Sequence, residues 1–198
     1  MSKLPFYIDT NDPPAKRLIL EEGLRLFAER GLSSTSIRDI ADATGYSNPA
    51  LYKHFKTKEM LARTLFVSAY KEMLGRVTAG LERGELFDSR FRAYLTIFAE
   101  FYDECPHAVI FVSDNLAALW PQISDNFKER TMITITRDLL QQGRREGIVA
   151  TDADFSLQVI LVTGMLSQLA RQLFLGELAS PARDYIQKME RILRAGLK

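Results

Sequence analysis

The sequence predicts an all-α chain of about nine helices, and three observations carry that expectation. Apolar residues recur at three- and four-residue spacings along most of its length, no alternating strand pattern interrupts them, and glycine, proline and hydroxyl residues fall at the joins. With 198 residues, 46% of them hydrophobic and 26% charged, there is enough chain for one or two ordinary cores.

Residues 1–14 gather Pro5, Asn11, Asp12, Pro13 and Pro14 without an apolar period and are expected as a flexible arm. In the following "AKRLILEEGLRLFAERG", Leu18, Ile19, Leu24, Leu26, Phe27 and Ala28 form the stripe of a first helix, which Gly31 stops. A second helix follows the hydroxyl cluster at 33–36, turns Ile37, Ile40 and Ala41 inward and ends at Gly45. Ser47 or Asn48 caps a third, with Pro49 in its first turn, where a missing N–H costs nothing. Thr57 caps a longer fourth, with Glu59 placed where the helix dipole favours a negative charge. Further helices are expected near 61–83 (the body of that fourth helix), 88–104, 107–119, 121–146, 152–176 and 181–196. Pro106, Pro121 and a Ser180 cap before Pro181 mark starts, and Gly147 marks an end.

Composition narrows the function classes. A net charge of +1 gives no bulk signal for nucleic acid, so any basic footprint has to be local. One cysteine, Cys105, and two histidines, His54 and His107, argue against a disulfide framework or a metal cage, and no cofactor is expected. The N-terminus lacks the apolar run of a signal peptide and no stretch of 18 apolar residues occurs, so a cytoplasmic protein without a membrane partner is expected. Zincin, P-loop and dinucleotide motifs are missing, and "GYSNP" lacks the second glycine of a nucleophile elbow, so the chain is not expected to be an enzyme. Cys105 between Glu104 and Pro106 reads as packing before it reads as a reactive thiol.

The most informative stretch is "TSIRDIADATGYSNPALYKHFKTKEML", from Thr35 to Leu61. Ala41, Gly45 and Leu51 have the spacing of a helix-turn-helix. The small alanine lets two helices approach, the glycine accepts the positive φ of a tight turn, and Leu51 closes a small core with Ile40 and Phe55. A generic helical corner would share that spacing; the outward residues separate the two. Ser47, Asn48, Tyr52, Lys53 and His54, with Lys56 and Lys58 just beyond, supply the hydroxyl, amide and cationic groups that meet phosphates and base edges. From Thr35 to Lys58 the cations Arg38, Lys53, Lys56 and Lys58 outnumber Asp39 and Asp42, so binding to DNA would weaken as salt rises.

"SIRDIADATGYSNPALYKHFKTKEML" resembles the DNA-binding signature of TetR-family transcriptional regulators, with "LYKHFKTKE" its most specific part. The motif match covers about residues 15–61, and length and helix order agree over the whole chain. The resemblance implies a helix-turn-helix DNA-binding domain over 15–60, and a ligand-binding and dimerisation domain over 61–198. It further implies a homodimer that represses from a palindromic double-stranded operator until a small-molecule effector releases it. By the same resemblance Asn48, Pro49 and Ala50 lie near base edges, Ser47, Tyr52, His54 and Lys58 meet phosphates, and Thr35 caps the second helix near the DNA backbone; Arg38 and Lys53 are further candidates. The chain departs from common family choices at Thr44, often alanine, and at Asn48-Pro49, often a basic or polar residue followed by glycine. A ligand-responsive activator, or a helical small-molecule-binding protein without a DNA role, are the alternative readings.

In the second domain Phe91, Tyr94, Phe98, Phe101 and Tyr102 recur along one side of a helix. Such a stripe is either plain core or the wall of an apolar pocket. As a pocket it would hold an apolar or aromatic ligand, a cationic one if a carboxylate faces inward. The expected lining is Phe66, Tyr70, Tyr94, Phe98, Phe101, Tyr102, Phe111 and Trp120, with His107 and Asn115, and also Asp103 and Glu104, as polar anchors. "FSLQVILVTGMLSQLA" is apolar on more than one face and needs cover on two sides, from its own bundle or from a second subunit. The resemblance favours the second subunit, through a face of Leu157, Ile160, Leu161, Gly164, Ser167, Gln168 and Arg171, joined by Tyr185 and Met189 of the last helix.

Overall fold

The structure, a computed structural model, describes residues 5–123 and 130–198. Among them are nine α-helices and no strand: α1 (Pro14–Arg30), α2 (Ile37–Thr44), α3 (Asn48–His54), α4 (Lys58–Glu82), α5 (Phe87–Glu104), α6 (Pro106–Leu119), α7 (Met132–Arg145), α8 (Phe155–Phe174) and α9 (Ile186–Gly196). Short 3₁₀ turns lie at Trp120–Gln122 and Ala182–Tyr185. The chain divides into two compact units, Met1–Glu72 with His107–Ile123, and Met73–Pro106 with Ser124–Lys198. The boundary passes through α4, and α6 groups with the N-terminal unit.

The N-terminal unit forms because α1 supplies a long apolar stripe to which the short helices attach. Ile19, Leu20, Leu24 and Phe27 are buried with Ile40 and Ala41 of α2, Leu51 of α3 and Leu61, Leu65 and Phe66 of α4. Helices of seven and eight residues cannot stand alone, so α2 and α3 owe their existence to this burial, worth about 1.5–3 kcal/mol for each large side chain. Gly23 lets α1 approach α4: a Cβ there would lie 3.1 Å from Leu61 Cδ2. Phe27 stacks on Phe111 of α6 at 5.6 Å. Residues 5–13 are tied down rather than loose: Ile8 is buried, Lys16 pairs with Asp12, and Arg17 donates to the carbonyls of Thr10 and Asp12.

In the C-terminal unit α5 is the central helix, packed against α7, α8, α9 and the second 3₁₀ turn. Its aromatic stripe, Phe87, Phe91, Tyr94, Phe98, Phe101 and Tyr102, is buried. Two carboxylates distant in sequence satisfy helix ends there. Glu146 accepts from the backbone N–H of Phe87 at 3.0 and 3.2 Å, and Asp103 accepts from the N–H groups of Ala182 and Arg183 at 2.6 and 3.3 Å.

Two expected helices are corrected. Pro121 does not open a helix over 121–146; it sits in the 3₁₀ turn, and α7 starts at Met132 behind a Thr131–Thr134 capping box, with 124–129 outside the described residues. The last helix starts at Ile186, not 181, because Ala182–Tyr185 winds as 3₁₀ against Asp103. The other helices agree with expectation to within a few residues.

Candidate nucleic-acid interface and ligand-binding residues

The turn between α2 and α3 is built as its residue types dictate. Gly45 takes the left-handed conformation, φ 72° and ψ 8°, that ends α2 and aims the chain into α3. Thr44, one step before, is buried, and its hydroxyl donates to the carbonyls of Ile40 and Ala41 at 2.8 and 3.1 Å. The hydroxyl is thus accommodated without disturbing the corner.

On α3, Leu51 is 1% exposed and Phe55, just past the helix, 4%, while Tyr52 is 45% exposed. Ser47, Asn48, Pro49 and Lys53 are also exposed, and Ala50 and His54 are half-buried. One face is therefore an anchor and the other is open to a partner, with Lys53 and His54 in the last turn, where the helix dipole favours cations. Ser47 is the N-cap by position but spends no side-chain hydrogen bond on it, so its hydroxyl is left for another acceptor or donor. A shallow recess beside this face is lined by Ser33, Ser34, Ser36, Arg38, Asn48 and Tyr52, among others.

Two expected contacts sit differently. Thr35 does not cap α2. Its side chain is buried and its hydroxyl donates to the Gly31 carbonyl at 2.9 Å and to that of Leu26 at 3.3 Å, locking the α1–α2 connection. The cap is Ser36, in a reciprocal box with Asp39: the Asp39 N–H donates to Ser36 Oγ at 3.2 Å, and the Ser36 N–H to Asp39 Oδ2 at 2.7 Å. Hydrogen bonds from the Ser36 side chain and backbone hold the Asp39 carboxyl below its ordinary value. Lys58 directs its ammonium to the carbonyls of Leu32 and Thr35, at 2.8 and 2.9 Å, which binds the start of α4 to the loop before α2. Sequence reasoning missed exposed Tyr46 as a surface donor and Ser36 as the cap, which was legible as the start of a Ser-x-x-Asp pattern.

The expected ligand residues fall in both units. In the N-terminal unit Phe66 stacks on Tyr70 at 6.0 Å, Tyr70 meets Trp120 edge-on at 5.2 Å, Asn115 Nδ2 donates to the Phe111 carbonyl at 2.8 Å, and His107 Nε2 lies 3.4 Å from Glu29. In the C-terminal unit the Tyr94 hydroxyl pairs with Thr136 at 2.9 Å, and burial, with Asp103 nearby, pushes the Tyr102 phenol up. Phe98 and Phe101 are buried in the same stripe, Asp103 holds the 3₁₀ turn and Arg183, and Glu104 accepts two bonds from Arg76. Most of the candidate polar anchors thus already hold partners inside their own unit. Cys105 is half-buried at the end of α5.

On α8 Leu157 and Ile160 are 64% and 60% exposed, with Leu161 and Gln168 also exposed and Ser167 and Arg171 half-buried; Tyr185, expected on the last helix, ends the 3₁₀ turn before it and is half-buried. A Cβ added at Gly164 would meet nothing within 4 Å. Met189 is corrected: at 4% exposure it packs in its own unit, and Ile192, three residues on and 54% exposed, takes the outer side. Among the described residues no helix is long and apolar enough to cross a membrane, and no group of His, Cys, Asp or Glu is arranged to hold a metal.

Comparison with known proteins agrees with this geometry. Residues 19–65 match the family described as bacterial regulatory proteins, tetR family. The HTH-type transcriptional repressor KstR2 of Mycolicibacterium smegmatis is 32% identical over 165 residues, 75% of each chain. The probable acrEF/envCD operon repressor of Escherichia coli K12 is 25% identical over 166 residues, 77% of this chain and 73% of that one. Among solved structures, the ketosteroid transcriptional regulator KstR2 of Mycobacterium tuberculosis superposes with a TM-score of 0.83 at 23% identity, covering 99% of each chain. The fatty acid degradation regulator FadR of Bacillus halodurans gives 0.75 at 16% identity, over 96% of this chain and 99% of that one.

Proposed function

This chain belongs to the TetR family of bacterial regulatory proteins, and we propose that it is a dimeric repressor that leaves a palindromic operator when an apolar or aromatic small molecule binds it. The observation that carries the DNA half is α3 itself: a seven-residue helix pinned through Leu51 and Phe55 that turns Asn48, Tyr52 and Lys53 to solvent. In this reading Asn48 meets a base edge, its side-chain amide being able to donate and accept at once. The Ser47 and Tyr52 hydroxyls and the Lys53 ammonium meet phosphates. Thr35 and Lys58 act one step back, setting the position of α2 and α4 beneath those contacts.

The dimer half rests on Leu157, Ile160 and Leu161 of α8 and Ile192 of α9. These apolar side chains are left open by their own unit, and open Gly164 allows a partner helix to come close. The ligand class rests on the aromatic content of α4, α5 and α6, with regulators named for ketosteroid and for fatty acid degradation among the structural neighbours. The 15–60 and 61–198 division is kept as the functional one, although α6 packs with the N-terminal residues.

The test is selection of bound sequences from a random duplex library across a salt series, with molecular mass recorded in the same samples. Enrichment of a palindrome by a salt-sensitive dimer is expected. Sequence-blind binding by a monomer would overturn both halves.

A further inference from the structure

The C-terminal unit carries a second charged surface that the DNA reading does not use. Between α5 and α9 runs an open groove of about 880 Å³, with Arg92 on the α5 side and Arg191, Arg194 and Lys198 on and beyond the α9 side. Arg183 of the 3₁₀ turn, Ile186 and Ala195 also line it. The acidic residue among the lining is Glu190, and it is buried. Five cations face one recess whose own acid is already engaged.

That engagement organises the groove. Glu190 accepts from Nε and Nη2 of Arg92, at 3.1 and 3.3 Å, and from Nε of Arg194 at 2.9 Å; Arg194 reaches on to Asp88. Burial pushes the Glu190 carboxyl up, but the hydrogen bonds from Arg92 and Arg194 outweigh it and hold it below its ordinary value. The carboxylate therefore stays charged and keeps two guanidinium groups in place, so a ligand finds their side-chain entropy already spent. Among the described residues no hydrogen bond engages Nη1 of Arg92 or either terminal nitrogen of Arg183, whose Nε donates to Asp103 at 3.0 Å. Among the described residues no ion pair engages Arg191 or Lys198.

Arg183 precedes α9 and Lys198 follows it, with an eleven-residue helix of about 15 Å between them, so one compact anion cannot satisfy both. Guanidinium forks match phosphate oxygens in pairs, and the lining is otherwise short of acidic groups that would repel them. We propose that this groove binds a small molecule bearing two or more linked phosphates. The site lies wholly within the C-terminal unit and does not depend on operator binding.

The probes are inorganic tripolyphosphate and ADP, titrated calorimetrically into the full chain at low salt, with orthophosphate as the single-anion control. Saturable binding is expected, at least tenfold tighter than orthophosphate, and at least tenfold weaker in the Arg191→Glu/Lys198→Glu variant. Both substituted side chains are exposed, so the variant is expected to keep the wild-type melting temperature. A Lys53→Glu/Lys56→Glu variant, altered in the N-terminal unit, should bind the probes as wild type does. Three outcomes overturn the proposal: no saturation, affinity equal to that of orthophosphate, or binding less than tenfold weakened in the Arg191/Lys198 variant, whatever the Lys53/Lys56 variant does.

Discussion

The ammonium of Lys58 donates to the carbonyl oxygen of Thr35 at 2.9 Å, so the first residue of α4 holds the residue just ahead of the α2 cap. A lysine in the DNA-binding motif is thereby committed to the protein's own backbone. Lys58→Met is expected to lower stability by about 1 kcal/mol, less than a fully buried charged hydrogen bond because the side chain is half-exposed. The slope of DNA affinity against salt should stay at the wild-type value. A slope reduced by about one phosphate equivalent would show instead that Lys58 turns to DNA.

Tyr52→Phe removes only a hydroxyl from an exposed ring. DNA affinity should fall with unchanged sequence preference, as expected for a phosphate contact. Asn48→Ala should cost about 1–3 kcal/mol and relax preference at one base position. Selection of bound sequences for each variant checks both, and unchanged preference in Asn48→Ala would remove it from base reading.

Leu51→Ala should behave differently from either. Leu51 is 1% exposed, and truncating such a side chain costs about 2–5 kcal/mol. Thermal unfolding should shift before any effect on sequence preference appears.

On α8, Leu157→Glu with Ile160→Glu changes two side chains that are 64% and 60% exposed. Surface changes of this kind usually move chain stability by no more than about 0.5 kcal/mol, whereas a charge pair buried between subunits is far more costly. Sedimentation should show a dimer for the wild type and a folded monomer for the variant. A dimer that persists would place the interface elsewhere.

Glu190 gives a pH dependence with a definite sign. Its folded value is lowered, so its contribution is complete above the ordinary glutamate range and is lost as pH falls through the lowered value. Glu190→Gln should therefore melt below wild type at neutral pH, and the two curves should converge on acidification. Parallel curves down to about pH 3 would mean that Arg92 and Arg194 do not favour its charged form.

The sequence disclosed most where one local rule acted alone. Gly45 had to accept a positive φ, and Ile40, Ala41, Leu51 and Phe55 had nowhere else to face. It was ambiguous where neighbours shared a chemistry. Thr35 and Ser36 are adjacent hydroxyls, and the choice of cap was made by the Leu26 and Gly31 carbonyls that capture Thr35. Met189 and Ile192 are both apolar and three residues apart, so periodicity could not say which faced inward. The end of α5 that rests on Glu146, 59 residues away, had no local signal at all. Tyr94 and His107 looked available to a ligand because their partners, Thr136 and Glu29, become visible only once the helices are packed, whereas Asn115 turns back to the Phe111 carbonyl one turn earlier on its own helix.

The division of labour on α3 bears on how this protein can change over generations. Folding depends on the anchors at Leu51 and Phe55, and the outward side chains at Asn48, Tyr52 and Lys53 carry almost none of it. Substitutions there can accumulate without passing through an unfolded intermediate, so a duplicated copy could acquire a new target site while its scaffold stays constant. The corner around Thr44 and Gly45 has no such latitude. Specificity is free to drift where structure is not at stake.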